Sequence, residues 1–283
     1  MTTRLLVDAL GRSVPVLPSP QRIVSLVPSL TEWLFAIGLG DRVVGVTDYC
    51  VQPSVGEAGA ALKTKRRLRG TKNPDRAAII ALQPDIILAN KEENRERDVQ
   101  ALAAAGLAVY VSDPRTVSDA IALLAELAGI FGVQAAAQPY IRAMQTAQQE
   151  VAARPLPRPR VLVPIWRDPW MAIGDDTYAN DLLQFCGGLN VAAELAGRYP
   201  RFELELIERL RPDLILLPSE PYRFSPADLP ALLSVWAGPC RFVDGELLTW
   251  YGPRLAQALR TFASLLQSFG APPSSAGNEA AGG

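Results

Sequence analysis

Histidine is absent from this chain of 283 residues. Its absence removes the commonest general base and the commonest zinc or iron ligand together. Serine–histidine triads and H-E-x-x-H sites are excluded with it. Cysteine is scarce: Cys50, Cys186 and Cys240 stand far apart with no C-x-x-C pair. Neither a zinc knuckle, nor a redox dithiol, nor a disulfide framework is indicated. No run of about 18 apolar residues occurs, so no transmembrane helix is expected. An excess of either charge is missing too. The 28 Lys and Arg nearly balance 29 Asp and Glu, and no global field favours nucleic acid or a membrane surface. The opening Met1–Asp8 lacks an apolar core of signal-peptide length and a cysteine suited to lipidation. If that start is native the chain is expected in the cytoplasm, and a removed leader would leave the same sequence.

What is present is an ordinary globular composition, 49% hydrophobic and 20% charged, long enough for two domains. The stretch that organises it runs from Ala135 to Arg154. It is rich in Ala, Gln, Arg and Met, has no internal glycine, and ends at the alternating prolines Pro155, Pro157 and Pro159. The reading is one helix about 30 Å long, with Pro139 in its first turn. Near the middle of the chain such a helix joins two lobes as a stiff strut, with a ligand expected between them and little hinge closure on binding.

On either side the pattern alternates. Apolar β-branched runs at Arg22–Pro28, Val43–Val46, Ile86–Ala89, Leu107–Val111, Arg160–Pro164, Leu214–Leu217 and Phe242–Val243 read as buried strands, and helical stretches lie between them. Ser29 or Thr31 is read as the cap of a helix from Glu32 to Ile37. Asn73 is read as the cap of a helix with Pro74 first and Ala77, Ile80 and Ala81 on its apolar face. Leu82-Gln-Pro-Asp-Ile-Ile-Leu88 is echoed by Leu210-Arg-Pro-Asp-Leu-Ile-Leu216, an internal match 128 residues apart. The fold class is therefore α/β: two Rossmann-like lobes with mostly parallel sheets, joined by one long rigid helix. The domains are read as 1–131, a linking helix 132–157, 158–270, and a disordered tail 271–283.

In parallel sheets ligands sit beyond the carboxyl ends of the strands. That rule selects the loops Pro28-Ser29-Leu30, Asp48-Tyr49-Cys50, Trp166–Trp170, Pro218–Phe224 and Leu248–Arg254. Trp166, Trp170, Trp250, Tyr251, Tyr49 and Tyr222 suit a surface that grips a flat or bulky ligand; the alternative is that some plug the strand ends. Arg254 follows Trp250-Tyr251-Gly252-Pro253 at a helix start, where the dipole disfavours a cation. It meets either an acidic group on the ligand or a salt-bridge partner. The basic run Lys63–Lys72 is either an anion clamp or a solvated face. Asp175, Asp176, Glu203, Glu205 and Glu208 read as caps and a solvated helix face, and Cys186 as core. No residue is assigned a catalytic role.

The ordered set of motifs resembles a known family. Arg22-Ile-Val-Ser-Leu-Val-Pro-Ser-Leu-Thr-Glu32, Gly45-Val-Thr-Asp-Tyr49 and Leu82–Leu88 are similar to the first lobe of class III substrate-binding proteins of ABC importers. These are helical-backbone receptors for cobalamin, ferric siderophores, haem and bare metals. Asp176-Thr-Tyr178, Gly187-Gly188-Leu-Asn190-Val191, Arg211–Glu220 and Asp244-Gly245 continue the likeness through the second lobe. The resemblance is greatest to the cobalamin-binding branch. It implies a non-catalytic receptor for a corrinoid or other metal chelate, with no intrinsic cofactor or metal, expected as a monomer that neither spans the membrane nor binds nucleic acid. Pro28, Ser29, Leu30, Asp48 and Tyr49 would line the ligand from one lobe. Trp166, Trp170, Tyr222, Arg223, Trp250, Tyr251 and Arg254 would line it from the other.

The resemblance further implies an extracytoplasmic location and docking onto an ABC permease through outer-face acids. Glu205 stands at the second-lobe position. The first-lobe position is Ala77, with Asp75 close by. The branch that binds bare metal uses histidines, so a pre-chelated or macrocyclic ligand is favoured, with a ferric-siderophore or haem receptor as the alternative. A cytoplasmic cofactor-handling protein and an interaction protein whose gap is filled by Trp166 and Trp250 are the remaining readings.

Overall fold

The computed structural model describes residues 3–154 and 158–270. The proposed tail 271–283 and Pro155–Pro157 of the strut's end lie outside them. The chain divides into two compact units. The first runs to Thr146 and takes in Trp250–Ala256; the second runs from Ala147 to Thr249 and resumes at Gln257.

The first unit opens with an antiparallel hairpin, β1 (Arg4–Val7) against β2 (Ser13–Val16). Its turn is closed by the Asp8 carboxylate, which accepts from the Leu10 and Arg12 amides and pairs with the Arg12 guanidinium at 2.6 Å. Then follow β3 (Ile23–Ser25), α1 (Pro28–Ala36), β4 (Val43–Val46), α2 (Gly56–Lys63), β5 (Arg66–Arg67), α3 (Arg76–Ala81), β6 (Ile86–Asn90), α4 (Glu96–Ala104), β7 (Val109–Ser112) and α5 (Val117–Phe131). The strands make one parallel sheet in the order β5-β4-β3-β6-β7. Val24, Ile87, Ala89, Val109 and Val111 pack from this sheet against Leu68, Ile79, Val99 and Leu102. Helix α5 fills the stretch after β7, where a helix is expected between the apolar runs at Leu107–Val111 and Arg160–Pro164. Thr116 and Asp119 form a reciprocal capping box at its start, and Gly132 ends it in the left-handed conformation at φ 71°.

Helix α6 (Gln134–Ala152) crosses the boundary between the units as one element. Ala137, Ile141, Met144, Ala147 and Val151 form its buried stripe at helical spacing. It begins one residue before the sequence suggests, so Pro139 falls in the second turn, not the first. There its missing N–H removes one intrahelical bond, to the carbonyl of Ala135, an exposed residue.

The second unit holds β8 (Arg160–Leu162), β9 (Pro164–Trp166), β10 (Met171–Ala172), α7 (Tyr178–Phe185), β11 (Leu189–Asn190), α8 (Leu206–Leu210), β12 (Leu214–Pro218), α9 (Leu229–Leu233), β13 (Cys240–Val243), α10 (Gly245–Thr249) and most of α11 (Leu255–Gly270). Its parallel sheet has the order β11-β8-β12-β13, and β9 and β10 form a separate antiparallel ribbon. Cys186 is buried, as its apolar stripe implied.

The internal echo has a physical meaning. Gln83 and Arg211 both adopt left-handed backbone, at φ 46° and 44°, just before Pro84 and Pro212. The aspartate that follows reaches back to the start of a neighbouring parallel strand, β3 or β8: Asp85 accepts from the Arg22 amide at 2.9 Å and Asp213 from the Arg160 amide at 2.7 Å. In return Arg22 donates to the Leu82 and Gln83 carbonyls, and Arg160 to those of Leu210 and Arg211. Each copy thus satisfies helix-end carbonyls with the guanidinium of the arginine at the start of the paired strand.

Local corrections follow. Helix α1 starts at Pro28 with Val27 as its N-cap, so Ser29 and Thr31 lie inside it and cap nothing. The Thr31 hydroxyl bonds instead to Ser25, the Val27 carbonyl and Cys50. Helix α3 is capped by Asp75, whose carboxylate accepts from the Ala78 amide at 3.0 Å. Its buried residue is Ile79, while Ile80 is 44% exposed and Ala77 faces solvent.

Candidate functional site

In the first unit the carboxyl edge of the sheet is built by the start of α1, the loop after β4, the turn after β5, and the segment after β6. Pro28, Ser29 and Leu30 form the first turn of α1 and are buried. They carry Trp250–Ala256, which packs on this unit. Gly252 lies so close to the Ser29 carbonyl that a Cβ there would stand 3.2 Å from it. Tyr251 is buried beside Ser29, Ser112 and Glu93. Burial, together with the Glu93 charge, pushes its phenol above the ordinary range. Glu93 is half-buried, and burial raises its carboxyl even though Lys72 and Thr71 pull it down. Arg254 pairs with Glu32 through both carboxylate oxygens, at 2.7 and 3.1 Å, and its guanidinium lies 5.6 Å from the Trp250 ring centre. Glu32 is only 9% exposed. Of the two readings of Arg254, the salt-bridge partner is the one present. Asp48 and Tyr49 remain at the surface, with Tyr49 63% exposed.

In the second unit the Trp166–Trp170 stretch is the turn of the β9–β10 ribbon, not a loop after a parallel strand. Its two indoles part company. Trp166 is 44% exposed and stands edge-on to Tyr222 at 5.9 Å. Trp170 is 8% exposed, stacks on Phe224 at 5.9 Å and 16°, and touches Phe202. Trp170 is therefore core. Below them Asp228 is buried and accepts from Arg167 at 2.6 Å, from the Tyr222 hydroxyl at 3.0 Å, and from the Ser225 amide and hydroxyl. Burial pushes Asp228 up, but these hydrogen bonds outweigh it and hold the carboxyl below the usual aspartate range. The hydrogen bond to Asp228 raises the Tyr222 phenol. Arg223 is exposed.

The structure thus brings Pro28, Ser29, Leu30, Tyr251 and Arg254 together in one packed region of the first unit, and Trp166, Trp170 and Tyr222 in one of the second. Arg167, Asp228 and Phe224 were not singled out from sequence, nor were Glu32 and Glu93. The Ser225-Pro-Ala-Asp228 spacing is a capping box and carried a signal for Asp228. Glu205 is exposed at the head of α8 beside a shallow depression lined by Arg201, Phe202, Leu206 and Arg209. Asp75, the other docking candidate, is engaged as a cap. Among the described residues no group of three His, Cys, Asp or Glu side chains could hold a metal ion, and no helix is long and apolar enough to cross a membrane.

Paired parallel sheets, a long helix between them in sequence and aromatic strand-end loops define a receptor scaffold. The periplasmic binding protein family model matches residues 23–223, and the chain belongs to that family. The vitamin B12-binding protein of Pectobacterium carotovorum subsp. carotovorum (strain PC1) is 26% identical over 268 residues, covering 91% of this chain and 92% of that protein. Among solved structures, the periplasmic vitamin B12 binding protein BtuF of Vibrio cholerae has a similar backbone, with TM-score 0.73, 24% identity, and coverage of 88% of this chain and 98% of that one. A periplasmic haem-binding protein, BhuT, solved with two haems bound, gives TM-score 0.71 and 25% identity, with 89% and 100% coverage.

Proposed function

We propose that this protein is a non-catalytic receptor that holds a metal chelate, a corrinoid of the cobalamin type, for ABC-type import outside the cytoplasm. The observation that carries the reading is the membership of the periplasmic binding protein family, joined to similarity along nearly the whole length of a vitamin B12-binding relative. The exposed ring of Tyr49 lies beyond the carboxyl end of β4, where this fold class receives ligands, and that of Trp166 at the turn of the β9–β10 ribbon. They offer apolar faces to a flat macrocycle. Glu205 is the outer-face acid that would meet a permease, and the receptor would act as a monomer with no resident cofactor. A haem receptor is the second reading, supported by the likeness to the haem-bound protein.

The test is titration of the purified protein with cyanocobalamin, haemin and ferric siderophores. Ligand absorbance and quenching of the five tryptophans are followed together. Saturable binding of one of them at micromolar concentration is expected, with no chemical change in the ligand recovered afterwards. Failure to bind any at that concentration, or turnover of the ligand, would overturn the reading.

A further inference from the structure

We infer that Arg67 and Arg69, on the turn bonded to the Tyr49 loop, form an anion subsite, and that the ligand carries a carboxylate or phosphate next to its flat body. The inference rests on the receptor reading and names the chemistry its ligand must have. The basic run is not one uniform face, because strand polarity sorts it. Lys63 and Lys65 precede β5 and lie toward the amino edge of the sheet. Arg67, Arg69 and Lys72 lie at its end or follow it, at the carboxyl edge where ligands arrive.

Lys72 is already engaged. Its ammonium donates to the Glu92 carbonyl, and its charge faces Glu93. Arg67 and Arg69 differ. Among the described residues Arg67 donates through Nη1, to the Thr47 carbonyl at 3.0 Å and the Cys50 carbonyl at 2.9 Å, which bracket Tyr49. A guanidinium carries five N–H donors, so most of this fork is left over. Among the described residues the partner of Arg69 is Asp75 at 3.9 Å, too long for a hydrogen bond. Both arginines are exposed, while Leu68 between them is fully buried and fixes the strand.

The backbone here is shaped as well as charged. Arg69 sits in the left-handed region at φ 63°, an uncommon state for arginine that persists only where the surroundings enforce it. The enforcement is visible. The Asp48 amide donates to the Arg69 carbonyl at 2.9 Å, and the Leu68 amide to the Val46 carbonyl at 2.9 Å, so the turn is zipped to the Tyr49 loop. Gly70 follows, and a Cβ there would lie 3.3 Å from the Tyr49 ring and 2.5 Å from the Asn73 side-chain oxygen. Glycine at position 70 is therefore what lets the phenol ring settle against this turn. The result is a tyrosine, 63% exposed, on a loop tied to both Arg67 and the Arg69 turn, whose guanidinia keep donors to spare, a combination that planar anionic ligands select.

The experiment compares three probes on the intact protein: haemin with two carboxylates, cyanocobalamin with one phosphodiester, and dicyanocobinamide with neither. Arg69→Gln should weaken one or both anionic probes by about tenfold, the usual effect of losing a charged hydrogen bond. It should flatten their salt dependence and leave dicyanocobinamide unchanged. Lys63→Gln, at the other edge, should change nothing. Loss for haemin alone assigns the subsite to carboxylates; loss for cyanocobalamin alone assigns it to a phosphodiester. Equal loss for all three probes, or loss for none, would overturn the subsite. A chelate-independent readout separates it from the receptor reading. Inorganic phosphate should shift the Gly70 amide resonance in the native protein and not in Arg69→Gln. If that shift appears while no chelate binds, the anion site stands and the receptor reading falls. If phosphate leaves Gly70 unmoved and no chelate binds, both fall.

Discussion

Asp228 collects hydrogen bonds from Arg167, Tyr222 and Ser225, and they lower its pKa despite burial. Glu93, near the buried Tyr251, is raised by burial. Linkage then gives the two carboxyls opposite signs. For Asp228 the folded pKa lies below the unfolded one. Its stabilisation is therefore complete above the ordinary value of 3.8 and fades as pH falls through the lowered folded pKa. Asp228→Asn should unfold at lower urea than the native protein at pH 7, with the gap closing below that value. For Glu93 the folded pKa lies above the ordinary 4.5. Protonated Glu93 is well accommodated, and stability is lost as pH rises through the raised pKa. Glu93→Gln should be more stable than the native protein at pH 7 and indistinguishable at pH 4. Urea midpoints at the two pH values check both, and a gap of the wrong sign in either would refute the assignment.

Among the elements, α6 carries its own flaw. Pro139 lies on the exposed side, in the second turn, where a proline removes one hydrogen bond and crowds the preceding turn. Pro139→Ala should stabilise by about 1–3 kcal/mol, seen as a higher denaturant midpoint with an unchanged slope. No gain would mean the helix start has relaxed around the ring.

Elements of this length and periodicity were legible in sequence: α5, α6 and the apolar strands stand where the pattern places them. Short or glycine-bearing ones were not. Helix α2 reads as loop because Gly56 and Gly59 interrupt it. Gly59 is needed there, since a Cβ would meet the Ser54 backbone at 2.7 Å. The β9–β10 ribbon was hidden because its strands are two and three residues long. That is also why Trp166 and Trp170, four apart, were read alike although one is exposed and the other is core. Residue type announces an aromatic; only packing decides which way it faces. The salt bridge of Arg254 was legible as a possibility, but its partner Glu32, 222 positions away, could come only from the fold.

At the scale of the whole molecule the repeated Pro–Asp turn gives a test of the two-unit organisation. Asp85 and Asp213 each accept from the amide of the arginine that leads into a sheet strand, in separate units, and Asp85 accepts from the Gln21 amide as well, where Pro159 offers none. Asp85→Ala should cost about 1 kcal/mol and speed amide exchange in β3 and β6. Asp213→Ala should do the same in β8 and β12. Each should leave the other unit's protection unchanged. Equal loss of protection in both units from one substitution would show that the chain unfolds as a single block.

Trp250–Ala256 belongs to the first unit although the chain on either side counts with the second. Synthesis proceeds from the N-terminus at about 5–20 residues per second, so the ribosome must translate nearly all of the second unit before the first can be completed. Until then Ser29 and Leu30, apart from any other cover, lack the residues that pack on them, and Glu32 lacks its arginine. A fragment ending at Arg154 should consequently be prone to proteolysis in the cell, and co-expression of a second fragment that supplies residues 158–270 should protect it.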